Sequence, residues 1–174
     1  MSAKLTFCPH GYILPFGDIC GRIVSSVKER NKKMETVPYK HVIQYYETDR
    51  MGITHHSNYV RFMEEARVDY LKQLGWDYAK LESMGVVSPV VKVECQYKVP
   101  TTFEDELRIT VLVKECTGIR IRFLYQMKDQ RGVIVCTAES EHCFVSAEGK
   151  IIRVDKEFPE FYEVLKAKSE EHSM

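Results

Sequence analysis

The sequence predicts an α+β domain in which one antiparallel sheet wraps around a single long central helix. Three observations lead there. An alternating run near Pro38 is followed by one strongly amphipathic stretch, Asn58 to Leu74, and then by four or five further alternating runs. Each such strand has one apolar face that needs cover, and the chain offers only one long helix to supply it.

The chain has 174 residues, enough for one domain with a real core and too few for two ordinary ones. Residues 1–35 show no sustained period and end in the charged run KERNKKMET, so they are expected to be an appendage to a domain spanning 36–168. Met34 is a candidate natural start, with the preceding residues an artefact or a misassigned upstream start. From Pro38 the pattern becomes regular. Tyr39, His41, Ile43 and Tyr45 alternate with Lys40, Val42, Gln44 and Tyr46, which predicts a strand. Tyr59, Phe62, Met63, Ala66, Tyr70 and Leu74 then recur at steps of three and four, an amphipathic helix about 25 Å long. Gly75 stops it, and DYAKLESM adds a short helix before Gly85. In VVKVECQYKV the residues Val91, Val93, Cys95, Tyr97 and Val99 face one way; LRITVLVK, GIRIRFLYQMK and Val133 to Val145 repeat the rule. SAEGKII reads as a tight turn into a short strand, and PEFYEVLKAK as a helix with Pro159 in its first turn. A curved sheet around one helix leaves edges and half-buried faces, which predicts a homodimer, with a tetramer as the larger alternative.

Composition removes several classes of function. Lys plus Arg and Asp plus Glu both number 25, so there is no basic field for nucleic acid. No apolar run approaches the roughly 20 residues needed to cross a bilayer, and the opening stretch lacks a signal-peptide pattern. The six cysteines, at 8, 20, 95, 116, 136 and 143, contain no C-x-x-C pair. They read as small hydrophobes in a reducing compartment, so the expected location is cytoplasmic. Cys8, His10 and Cys20 lack the paired spacing of zinc modules, and no metal or redox cofactor is expected.

The segment ETDRMGITHHSNY, between the first strand and the long helix, concentrates Asp49, Gly52, His55, His56 and Asn58. A strand, a glycine turn and a helix start bring unpaired backbone N–H groups to a point, a ready oxyanion site. Asp49 precedes Gly52 and stands close enough in sequence to attack a carbonyl or deprotonate water. The competing reading makes Asp49 only a helix cap. Here YYETDRMGITHHSNYVRFMEEAR resembles the signature of the 4-hydroxybenzoyl-CoA thioesterase family of hotdog proteins, and within it the Tol-Pal-associated acyl-CoA thioesterase branch. The matching elements are the aspartate, the glycine three residues on, the opening Asn58-x-x-x-x-x-Glu64-x-Ala66-Arg67, and the aromatic strand before them.

The resemblance runs from Pro38 to about Leu165. It implies a hotdog fold and hydrolysis of an acyl-CoA thioester to a free acid and coenzyme A, with water as co-substrate. It also implies Asp49 as nucleophile or general base, the backbone N–H of His56 as oxyanion donor, and residues supplied by a facing subunit. His55 is expected to line the pocket or orient Asp49, because adjacent histidines diverge and chelate one metal poorly. Asn58 is expected either to bond the helix start or to touch substrate, and Tyr59 is a candidate substrate contact. Glu64 matches the family's helix glutamate and is a further pocket candidate beside the alternative of a solvated charge. Arg67 is expected to be structural. Arg120 and Arg122 share a strand face, either solvated or placed for the phosphates of coenzyme A. Two other functions compete: a hotdog hydratase or dehydratase, whose Asp-x-Asn-Pro-x-His pattern this chain lacks, and a non-catalytic acyl-CoA-binding module. No G-x-S-x-G elbow or P-loop is present.

Overall fold

The computed structural model describes residues 35–171. Its elements are β1 (Tyr39–Val42), α1 (Asn58–Gln73), α2 (Tyr78–Ser83), β2 (Val90–Tyr97), β3 (Glu106–Cys116), β4 (Arg120–Lys128), β5 (Ile134–Cys143), α3 (Val154–Glu157) and α4 (Pro159–Glu170). The five strands form one sheet in the order β1-β3-β4-β5-β2, every neighbouring pair antiparallel. The expectations about the first 34 residues, including Cys8, His10, Cys20 and Met34, lie outside the described residues. Among the described helices none is long and apolar enough to cross a membrane.

The two periodicities read in the sequence meet in the core. α1 buries Tyr59, Phe62, Met63, Ala66 and Tyr70; β3 buries Leu107, Ile109, Val111 and Val113, and β4 buries Ile121, Phe123, Tyr125 and Met127. Each large side chain removed from water contributes about 1.5–3 kcal/mol before chain entropy is set against it. α1 packs against β1, β2 and β3, as a central helix must. It ends where Gly75 adopts φ +79, which a residue with a side chain adopts only at a cost. α2 starts on Asp77, whose side chain accepts the Lys80 N–H. α4 covers β3 as well and drives Phe161 and Leu165 into the core, where the Phe161 ring lies 5.0 Å from that of Trp76.

Two expectations need correction. The first strand does not run to Tyr46: it ends at Val42, and Tyr45–Glu47 form a single 3-10 turn that leaves both tyrosines exposed. The cause is Glu47, whose buried carboxylate turns back to accept the Gln44 N–H at 2.9 Å and so bends the chain. The apolar side of β2 is also less covered than alternation suggests, with Val91 and Tyr97 about half exposed at 51% and 49%; the adjacent Val90 is 52% exposed. β2 is an edge strand, so nothing pairs beyond it within the described residues. The turn read in SAEGKII is present, closed by Gly149 N–H to Ser146 O at 2.9 Å and followed by a Val145–Ile151 bridge.

Candidate active site

Between the 3-10 turn and α1 the chain makes a miniature hairpin. Thr48 bridges Thr54, Asp49 N–H donates to Ile53 O and Gly52 N–H to Asp49 O, both at 2.9 Å. Gly52 sits at φ +76, the conformation that this turn requires and a Cβ would oppose. Asp49 is therefore not a helix cap: α1 begins nine positions later, and the Asp49 Oδ1 accepts the Met51 N–H at 2.8 Å, an Asx turn. Its second oxygen, Oδ2, accepts no hydrogen bond among the described residues. The hairpin is fixed from behind by the 101–102 segment, through Thr54 N–H to Thr101 O at 2.8 Å and Thr102 Oγ1–H to Gly52 O at 2.9 Å.

The start of α1 is tied to the same loop by one carbonyl. Glu47 O accepts both the His55 N–H at 2.8 Å and the Asn58 side-chain N–H at 2.7 Å. Asn58 thus serves the helix-start role of its two expected ones. The Tyr97 hydroxyl donates to His56 O at 3.0 Å, while no group among the described residues accepts the His56 N–H. An unpaired amide at the mouth of a helix is the donor that a developing oxyanion needs.

The Glu47 side chain, fully buried, anchors this assembly. His41 Nε2 lies 2.8 Å from its Oε2, and Arg61 bonds the other oxygen. Glu65 extends the cluster, receiving Tyr39 OH at 3.2 Å and lying 3.4 Å from His41 Nδ1. Sequence reasoning passed over Glu47, His41 and Arg61. Their one legible signal was the Arg61–Glu65 spacing along a helix, since the other partners converge only when strand, turn and helix meet.

The remaining predicted residues fall in several places. His55 turns its Nδ1 to the Ser57 hydroxyl at 2.8 Å instead of bonding Asp49, and its ring lies 4.2 Å from that of His56. The two imidazoles do not diverge as expected, because the chain between strand and helix follows neither regular geometry. Tyr59 is buried in the core, its hydroxyl 2.9 Å from Thr101 Oγ1. Glu64 is exposed and lines the mouth of a separate cavity of about 220 Å³ beneath α1. Arg120 and Arg122 both bind Glu141, at 2.7 and 3.2 Å, and the Arg120 hydrogen bond holds that carboxyl below its ordinary range. Arg67, expected to be structural, is 5% exposed and places Nη1 at 2.6 Å from Nε2 of the fully buried His142. Burial, and then the Arg67 charge, lower the His142 pKa to about 4, so the ring is neutral. Among the described residues no group of three or more His, Cys, Asp or Glu is placed to hold a metal. Cys136 is buried and Cys95, Cys116 and Cys143 half-buried, all as free thiols.

Residues 43–168 match the model of the thioesterase-like superfamily. The chain belongs to that superfamily. Curated members most similar to it include a putative esterase of Aquifex aeolicus, 36% identical over 68% of this chain and 91% of that protein. The putative acyl-CoA thioesterase YneP of Bacillus subtilis is 33% identical over 69% of this chain and 88% of its own. Among solved structures, a DHNA-CoA thioesterase from Staphylococcus aureus superposes with a TM-score of 0.72 at 29% identity, covering 75% of this chain and 89% of that one. A hypothetical protein from Aquifex aeolicus superposes with a TM-score of 0.68 at 34% identity, covering 73% and 99%. The five-stranded sheet around α1 is the hotdog fold of this superfamily, and fold and family alike are those of thioester hydrolases.

Proposed function

We propose that this chain hydrolyses an acyl-CoA thioester, with Asp49 as the catalytic carboxylate and the His56 N–H as oxyanion donor. The observation that carries the reading is the state of Asp49: one oxygen is locked in the turn while the other is left without a partner, on a hairpin held rigidly beside the start of α1. As general base, Oδ2 takes a proton from water as the water oxygen bonds to the thioester carbonyl carbon. The negative charge moves to the carbonyl oxygen, where the His56 amide stabilises it. Collapse re-forms the carbonyl, breaks the C–S bond, and sends the proton to the departing thiolate. As nucleophile, Oδ2 bonds to the carbonyl carbon itself, expels the thiolate, and leaves an anhydride that water then opens.

The names of the relatives support coenzyme A thioesters as the substrate class, since YneP and the Staphylococcus aureus structure both carry that chemistry in their descriptions. The signature around Asp49 supports a finer placement, in the 4-hydroxybenzoyl-CoA thioesterase family and, within it, the Tol-Pal-associated acyl-CoA thioesterase branch. The half-exposed valines of edge strand β2 favour a homodimer as the working unit. Incubation with a panel of acyl-CoAs and a thiol reagent tests the proposal. Thiol release supports it; hydration of an enoyl-CoA without thiol release establishes a hydratase instead, and binding without turnover establishes an acyl-CoA-binding module.

A further inference from the structure

The peptide unit that carries the His56 N–H is aimed from its far side. No described peptide bond is cis, so the carbonyl of that unit, His55 O, points opposite to the amide. The Asn58 N–H donates to this carbonyl at 3.0 Å, which turns the amide away from Asn58 and polarises it as a donor. The next unit joins His56 O to the Ser57 N–H. The Tyr97 hydroxyl donates to His56 O at 3.0 Å, while the Ser57 N–H makes only a long contact of 3.4 Å to His55 Nδ1. Residues 55–57 lie in neither helix nor strand, so no regular ladder holds them. The bond from Tyr97 is what ties His56 to the sheet.

Tyr97 is the last residue of β2, paired with Cys136 of β5, and its ring meets the buried Tyr59 ring edge-on at 5.1 Å. Desolvation, and then the charge of Cys95, push its phenol up to about 12, so the hydroxyl stays protonated at neutral pH and serves as a donor. A few residues on, Thr101 and Thr102 hold the hairpin that carries Asp49, through Thr54 and through Gly52 O. Residues 97–102 therefore grip both halves of the site, the carboxylate on one side and the amide on the other. We propose that Tyr97 is a positioning residue for the oxyanion donor: its O–H, bonded to His56 O, keeps the His56 amide aimed at the carbonyl on which Asp49 acts. The inference rests on the hydrolase reading. Tyr97 is 49% exposed, so water can take the place of its hydroxyl on His56 O and the fold loses little; water is not anchored to the sheet, and the aim is lost.

Steady-state thiol release from acyl-CoAs by the full chain and by Tyr97→Phe, with melts and sedimentation run beside it, tests the assignment. Phenylalanine keeps the ring against Tyr59 and removes only the donor. The kcat is expected to fall about tenfold, less than the roughly 10²- to 10³-fold that outright loss of an oxyanion donor costs. KM should stay within about twofold, because the bond aims the amide without holding substrate. Melting temperature and sedimentation should be unchanged. A second readout needs no activity: Ser57 shares its peptide unit with His56 O, so its amide nitrogen resonance should move in Tyr97→Phe while those of β3 stay in place. An unaltered kcat, a loss confined to KM, a kcat loss that comes with a lowered melting temperature or altered sedimentation, or an unmoved Ser57 resonance would overturn the role of Tyr97 while leaving the hydrolase reading intact. A parent chain that releases no thiol from any acyl-CoA would remove that reading and this inference with it.

Discussion

Glu47 and Asp49 are two residues apart and do opposite things with a carboxylate. Glu47 is fully buried and bonded to His41, Arg61 and the Gln44 N–H, while its carbonyl ties down His55 and Asn58. Asp49 spends one oxygen on its own turn and keeps the other free. Glu47→Gln keeps the shape but removes the charge from a buried acceptor, so stability should fall by about 1–3 kcal/mol, discounted because Arg61 is partly exposed. Urea melts read the loss, and a variant as stable as the parent would deny Glu47 its anchoring role. His142 sets a pH dependence of its own. Its pKa is about 4 in the folded chain against an ordinary 6.5, so on acidification the unfolded chain takes up the proton first. Stability present above pH 6.5 is therefore lost between about pH 6.5 and 4, on the order of 2–3 kcal/mol from this ring. Melts at pH 7 and pH 5 should differ in the parent by more than in His142→Gln; equal differences would remove His142 as the source.

At the scale of elements, the sequence was most informative where one period ran unbroken. The α1 stripe and the alternation of β3 and β4 placed Phe62, Ala66, Ile109 and Phe123 correctly, because a buried face imposes its period on the residues directly. The alternation of Tyr39 to Tyr46 misled, because the Glu47 carboxylate breaks the strand and local periodicity carries no trace of a partner elsewhere in the chain. The Asp49 hairpin was half legible: Asp49 and Gly52 stood out, but the Thr101 and Thr102 backing and the Glu47 anchor are long-range contacts. The Arg67–His142 pair joins positions on α1 and β5 and left no local mark. Gly52 gives the element a test. A Cβ there meets nothing within 4 Å, so Gly52→Ala costs only the backbone strain of φ +76, about 1–2 kcal/mol. Because the turn aims Asp49, kcat should fall about tenfold or more while the fold survives. Unchanged kcat in a variant with a lowered melting temperature would show that the turn does not position the catalytic group.

At the scale of the molecule, the exposed valines of β2 and the uncovered sheet edge call for a second copy of the chain. Sedimentation at assay concentration should give a dimer, and a fully active monomer would dismiss that expectation. The central claim is that the molecule is a hydrolase whose chemistry runs through the free oxygen of Asp49, and steady-state thiol release by the parent and Asp49→Asn addresses it most directly. Asparagine keeps an Oδ1 to receive the Met51 N–H, so the turn and the melting temperature should be preserved while the negative charge is lost. The account predicts release of coenzyme A by the parent and a kcat lower by about 10² to 10⁴ in the variant, with KM little changed. A variant that melts like the parent and keeps more than about half its kcat would contradict it.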